Sequence, residues 1–134
     1  MHRRYFFAAI ALTCFASTGA SAVELSLSSN ASEIPQAQVR EVIASNLPSD
    51  VSHLGTGYKL FAVMETSDFR PGERLYSYSV QLHKKVIEAV TGKEYWVVTG
   101  GIRGHGVAVA SETILSNLKG DIIAGAQSFK LDQE

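Results

Sequence analysis

One cysteine, three prolines and no surplus of basic charge are what this 134-residue sequence works with, and each scarcity removes a class of protein. A single thiol, Cys14, closes no internal disulfide, so a disulfide-stapled scaffold is excluded. Three scattered prolines, with no repeating unit, exclude collagen-like and proline-rich chains. Twelve Lys and Arg against 13 Asp and Glu give a formal charge of −1. Nucleic acid and anionic lipid both demand clustered cations, and beyond the first residues the only close basic pair is Lys84-Lys85. With 46% hydrophobic and 19% charged residues the composition is that of a globular protein, not a disordered one.

Long apolar runs are scarce as well. The one present, Tyr5 to Phe15, follows the basic start His2-Arg3-Arg4 and is interrupted by Thr13 alone. It is too short to cross a bilayer, which takes about 20 residues. Small residues follow it and end in Ala20-Ser21-Ala22, the A-x-A pattern that precedes a signal-peptidase cut. Residues 1–22 therefore read as a cleavable signal peptide, with cleavage after Ala22 and a periplasmic or secreted destination. A lipid anchor on Cys14 is disfavoured: Ala11 and Thr13 stand where a lipoprotein site needs Leu and a small residue. Cleavage leaves Val23–Glu134, a single small domain of 112 residues without cysteine. Loss of Arg3 and Arg4 leaves 10 basic and 13 acidic side chains, a charge of −3. Its stability must come from its core, and a chain of this length buries roughly two-thirds of its unfolded surface.

Residues 23–33 alternate apolar Val23, Leu25 and Leu27 with polar neighbours, which suits an edge strand or equally a flexible arm. Asn30-Ala31-Ser32 fits a glycosylation sequon, a pattern common by chance and foreign to a bacterial-looking signal peptide. From Pro35 to Leu47, Val39, Val42, Ile43 and Leu47 recur at helical spacing; proline suits the first helical position, and Pro48 ends the run. Ser49 to Gly57 reads as a connection. Tyr58 to Thr66 is aromatic and β-branched, hence a strand, and Pro71-Gly72 marks a turn. Arg74 to Val86 alternates cleanly: Tyr76, Tyr78, Val80 and Leu82 on one side, Ser77, Ser79, Gln81 and His83 on the other. That is a strand with one buried and one wet face, which favours antiparallel pairing. Glu94 to Arg103 is a third strand with Gly100-Gly101 as a bulge, Gly104-His105-Gly106 a loop, and Val107 to Ala110 a fourth strand or a lead-in. Ser111 is the expected N-cap of a helix of about five turns, whose stripe is Ile114, Leu115, Leu118, Ile122, Ala126 and Phe129; Gly120 is its candidate interruption.

The fold expected is α+β: an N-terminal helix, a three- to four-stranded antiparallel sheet, and a C-terminal amphipathic helix on one sheet face. No catalytic constellation accompanies it. Without a thiol, cysteine catalysis and thiolate metal sites are excluded from the processed chain. His53, His83 and His105 stand singly, outside any metal-ligand spacing, and neither G-x-S-x-G nor a phosphate loop occurs. No enzyme activity, metal or cofactor is expected. What remains is a surface for another protein, as inhibitors, immunity proteins and envelope accessory factors have, or for self-association through a sheet edge. Its candidate residues are Tyr78, His83, Tyr95, Trp96, Arg103 and His105: aromatics favoured at interfaces, and polar groups on the wet side of the strands. The alternative is a small enzyme or anion-binding protein, in which glycines around Arg103 and His105 turn backbone amides toward a carboxylate or phosphate at the start of the last helix.

Overall fold

The computed structural model describes residues 22–129; the expectations for the signal segment and Cys14 lie outside these residues. The chain is α+β. Strand β1 (Glu24–Ser29) leads to helices α1 (Gln36–Asn46) and α2 (Ser49–Ser52). Three long strands follow, β2 (Tyr58–Arg70), β3 (Glu73–Ile87) and β4 (Glu94–Ala108), then helix α3 (Ser111–Ala124) and a single 3-10 turn, Ala126–Ser128.

The sheet has the order β1-β2-β3-β4, and it is mixed rather than purely antiparallel. β2, β3 and β4 form a meander of two hairpins, whereas β1 runs parallel to β2, Leu25 opposite Leu60 and Leu27 opposite Ala62. The reason is the connection. A tight turn reverses the chain, but the two helices between β1 and β2 carry it back to the same end, and parallel strands need such a crossover. The short helix α2 lies inside what reads in sequence as a plain connection.

Pro35, expected at the first helical position, stands one place earlier, and Pro48, which ends α1 as expected, also opens α2. Pro35 and Pro48 occupy N-cap positions with extended backbone, and their carbonyls accept the first helical bonds, from Gln38 and Val39 and from Val51 and Ser52. Ser111 likewise lies inside α3 rather than capping it. Ala110 is the cap residue, without a side-chain bond, and its carbonyl accepts from Thr113. The interruption of α3 falls at Gly125, not Gly120: a Cβ on residue 125 would run into Ile102, whereas one on residue 120 meets open space.

One core holds these elements together. On the sheet it takes Leu60, Ala62 and Met64 of β2 and Tyr76, Tyr78, Val80 and Leu82 of β3. Against them lie Val39 and Ile43 of α1, Val51 of α2, Ile114, Leu118 and Ile122 of α3, and Phe129. Each such aliphatic side chain contributes roughly 1.5–3 kcal/mol by leaving water. The period-2 faces of the strands and the 3.6-period stripes of the helices meet here, so both helices cover the same side of the sheet. Its other side carries no described helix or strand.

Candidate protein-binding face

The uncovered side is built by the alternate residues of three long strands. From β2 it takes Lys59, Phe61, Val63 and Glu65; from β3, Leu75, Ser77, Ser79, Gln81 and His83. β4 is bulged. Gly100 stands opposite Leu82 but Val98 stands opposite His83, so Thr99 is an extra residue and the pattern of faces slips by one. Before the bulge Trp96 and Val98 point to the open side; after it Arg103, His105 and Val107 do. Gly101 is required at this kink, because a Cβ there would strike the carbonyl oxygen of Val80.

Gly104-His105-Gly106 is not a loop. β4 runs unbroken through it to Ala108, and the glycines have a packing reason. Tyr78 lies opposite Gly104 and Tyr76 opposite Gly106 on the covered side. A Cβ on residue 104 would sit 2.6 Å from the Tyr78 hydroxyl, and one on residue 106 would sit 2.8 Å from that of Tyr76. The two rings stack with centroids 5.9 Å apart, extend across β4, and meet α3. There the Tyr78 hydroxyl donates a short hydrogen bond to Asp121, and Asn117 donates to the Tyr76 hydroxyl at 2.7 Å. Burial pushes the Tyr78 phenol well above its ordinary value, and the Asp121 carboxylate reinforces the shift.

Of the six residues singled out by sequence, the structure therefore separates two, Tyr78 and Tyr95, from the rest. Tyr78 is 4% exposed and faces the helices. His83, Trp96, Arg103 and His105 share the open side. His83 packs against Phe61 with ring centroids 4.4 Å apart, and Gln81 lies 3.3 Å from its Nε2. Desolvation lowers the His83 pKa from its ordinary value. The Lys59 ammonium sits 4.6 Å over the Trp96 ring. Tyr95 keeps to the helix side but beyond the reach of the helices, half exposed under Lys93. Neither Tyr95 nor Trp96 belongs to the core, although being adjacent on a strand they point to opposite sides.

The anion cradle expected ahead of the last helix does not form as drawn. Arg103 and His105 project from a continuous strand, away from the side that α3 covers. They share instead a shallow hollow of about 340 Å³ with Val63, Glu65, Ser77 and Ser79. Sequence reasoning missed the apolar members of this side. Val63, Leu75, Val98 and Val107 are each 40–51% exposed, and Phe61 is half-buried. The signal of Phe61 and Val63 is present in the odd positions of β2, but those positions read as core until the even ones are known to carry it.

Among the described residues no helix is long and apolar enough to cross a membrane, and no three His, Cys, Asp or Glu side chains converge as a metal cluster. No family model, curated protein or solved structure matches the chain.

Proposed function

We propose that this chain is an exported protein-binding module, acting in the periplasm or outside the cell as an accessory factor, inhibitor or immunity-type protein, with no catalytic step of its own. The observation that carries this reading is the uncovered side of the sheet. Its apolar members Phe61, Val63, Trp96 and Val98 are neither screened by a helix nor sunk in a closed cavity. A broad, shallow surface with aromatics at one end and Ser, Arg and His at the other suits a protein partner better than a small substrate, which needs an enclosing cleft. Export rests on the layout of residues 1–22.

Two measurements test it. Mass spectrometry of the processed chain is expected to find Val23 at its N-terminus; an acylated Cys14 would overturn the soluble reading. Affinity purification from the cell envelope, with tagged wild type beside Val63→Lys and Trp96→Ala, is expected to recover a partner that both variants lose. A partner retained by both places the contact elsewhere.

A second reading is favoured by one observation, the grouping of Arg103, His105, Ser77 and Ser79 around one hollow. This set would hold a carboxylate or phosphate. Titration with phosphate while following the His105 ring by NMR separates the two: a shift at millimolar ligand supports an anion site, and none supports the protein partner alone.

A further inference from the structure

The two edges of the sheet are treated differently. An edge strand presents unpaired N–H and C=O groups, a template for another strand, and proteins usually blunt it. The β1 edge is only 6 residues long, and Arg40 of α1 reaches down to it, donating to the Leu25 carbonyl at 2.7 Å. The β4 edge is 15 residues long and no described strand pairs with it. Along it Tyr95, Val97, Val98 and Val107 are 44–51% exposed, and the glycines at 100, 101, 104 and 106 add no side chain of their own to the open side.

Charge along β4 is uneven in a way that complements itself. Glu94 lies near the start of the strand; Arg103 and His105 lie in its second half. On a regular strand, residues 94 and 103 would face opposite sides. The extra residue at the bulge brings both to the open side, where Glu94 already holds Lys85 at 3.0 Å and Arg103 has no ion-pair partner among the described residues. Two copies of β4 running antiparallel about the bulge would set each Glu94 beside the other copy's Arg103, and each Trp96 beside the other's Gly101. Opposite residues in an antiparallel ladder share a face, so the charges meet on the same side.

We propose that β4 pairs with β4 of a second copy of this chain, antiparallel and centred on the bulge at Thr99, to give a two-fold dimer with one continuous eight-stranded sheet. The contact is isologous and closes on itself, because the guarded β1 edges lie at the far ends. It is independent of the partner-binding reading; its effect is to place two open sides in one uninterrupted surface.

Sedimentation equilibrium of the purified protein tests it with two variants. Wild type is expected to show twice the chain mass. Arg103→Glu, which sets two acids against each other, is expected to weaken association at least about tenfold, the scale of one lost charge pair. Combining it with Glu94→Arg restores the complement and is expected to recover the dimer. Circular dichroism of each variant checks that the fold is kept, since both positions are exposed. A wild type that stays monomeric at about 100 μM, or a dimer indifferent to Arg103→Glu, overturns the proposal.

Discussion

Gly104 stands directly opposite Tyr78 in the β3–β4 ladder, and the missing side chain of one is the space occupied by the phenol of the other. The tyrosine lies across the glycine to reach Asp121 on α3, so one residue pair joins strand, neighbouring strand and helix. Gly104→Ala is therefore expected to destabilise the fold by about 2–3 kcal/mol, since the ring must swing away or the strand must shift. Urea denaturation measures this. A loss below about 0.5 kcal/mol would mean that the ring has somewhere else to go.

Gly120 makes the opposite case. It lies inside α3 on its exposed side, and a Cβ there meets nothing within 4 Å. Gly120→Ala removes backbone freedom from the unfolded chain without a clash, so it is expected to stabilise by roughly 0.5–1 kcal/mol. Opposite signs for the same chemical change at two glycines separate packing from chain entropy, and equal signs would refute the assignment of Gly104 as a packing residue.

How far these glycines are legible in sequence marks the limit of local reading. The alternation Tyr76 to Leu82 and the stripe Ile114 to Ile122 announce their elements, because a buried face repeats with the period of the backbone that carries it. Gly104 and Gly106 announce a loop by the same local logic, and the answer is wrong because their reason lies on another strand. Nothing near residue 104 says that a tyrosine 26 positions earlier will lie over it. The bulge at Thr99 is foreshadowed by Gly100-Gly101, but its consequence, the transfer of Arg103 and His105 to the open side, appears only once the register is known. The parallel pairing of β1 is likewise a matter of contact between distant segments, whereas the alternation from Tyr76 to Leu82 already puts Tyr78 on the buried side.

Alkaline pH offers a direct reading of the Tyr78 contact. Its pKa is raised in the folded state, first by burial and then by Asp121, above the unfolded value of about 10. The stabilisation is thus complete below about pH 10 and is lost as pH rises through the range between the unfolded and folded values. Wild type is expected to lose stability steeply above pH 10, and Tyr78→Phe to lose less over the same interval while being weaker by about 1 kcal/mol at neutral pH. Parallel curves for the two proteins would show that Tyr78 ionises as freely folded as unfolded.

The acid side belongs to His83. Desolvation against Phe61 lowers its pKa below the ordinary 6.5, so the folded state favours the neutral ring. Its contribution is present above about pH 6.5 and is lost as pH falls through that value toward the folded one. An NMR titration is expected to place the His83 midpoint below 6.5, and His83→Gln to flatten the fall in thermal midpoint between pH 7 and 5. A midpoint at or above 6.5 contradicts the packing of this ring. Since His83 lies on the open side, a partner that buries it further would lower the midpoint again, which makes the same ring a reporter of contact.

Arg40 supplies the last test, because the contrast between the two sheet edges depends on it. Its guanidinium holds the Leu25 carbonyl from outside β1, and the bond is exposed, so losing it costs fold stability only modestly, about 0.5–1 kcal/mol. The consequence for assembly is of a different kind. A chain with one open edge can only pair and stop; a chain with two can continue, since each added copy brings a fresh edge. Arg40→Ala is therefore expected to produce species larger than the dimer, growing with concentration in light scattering, at a thermal midpoint close to that of wild type. Arg40→Lys, which keeps a donor on a long stem, is expected to restore most of the guard. If Arg40→Ala remains as small as wild type at every concentration, the β1 edge is protected by its shortness and twist, and the side chain above it is incidental.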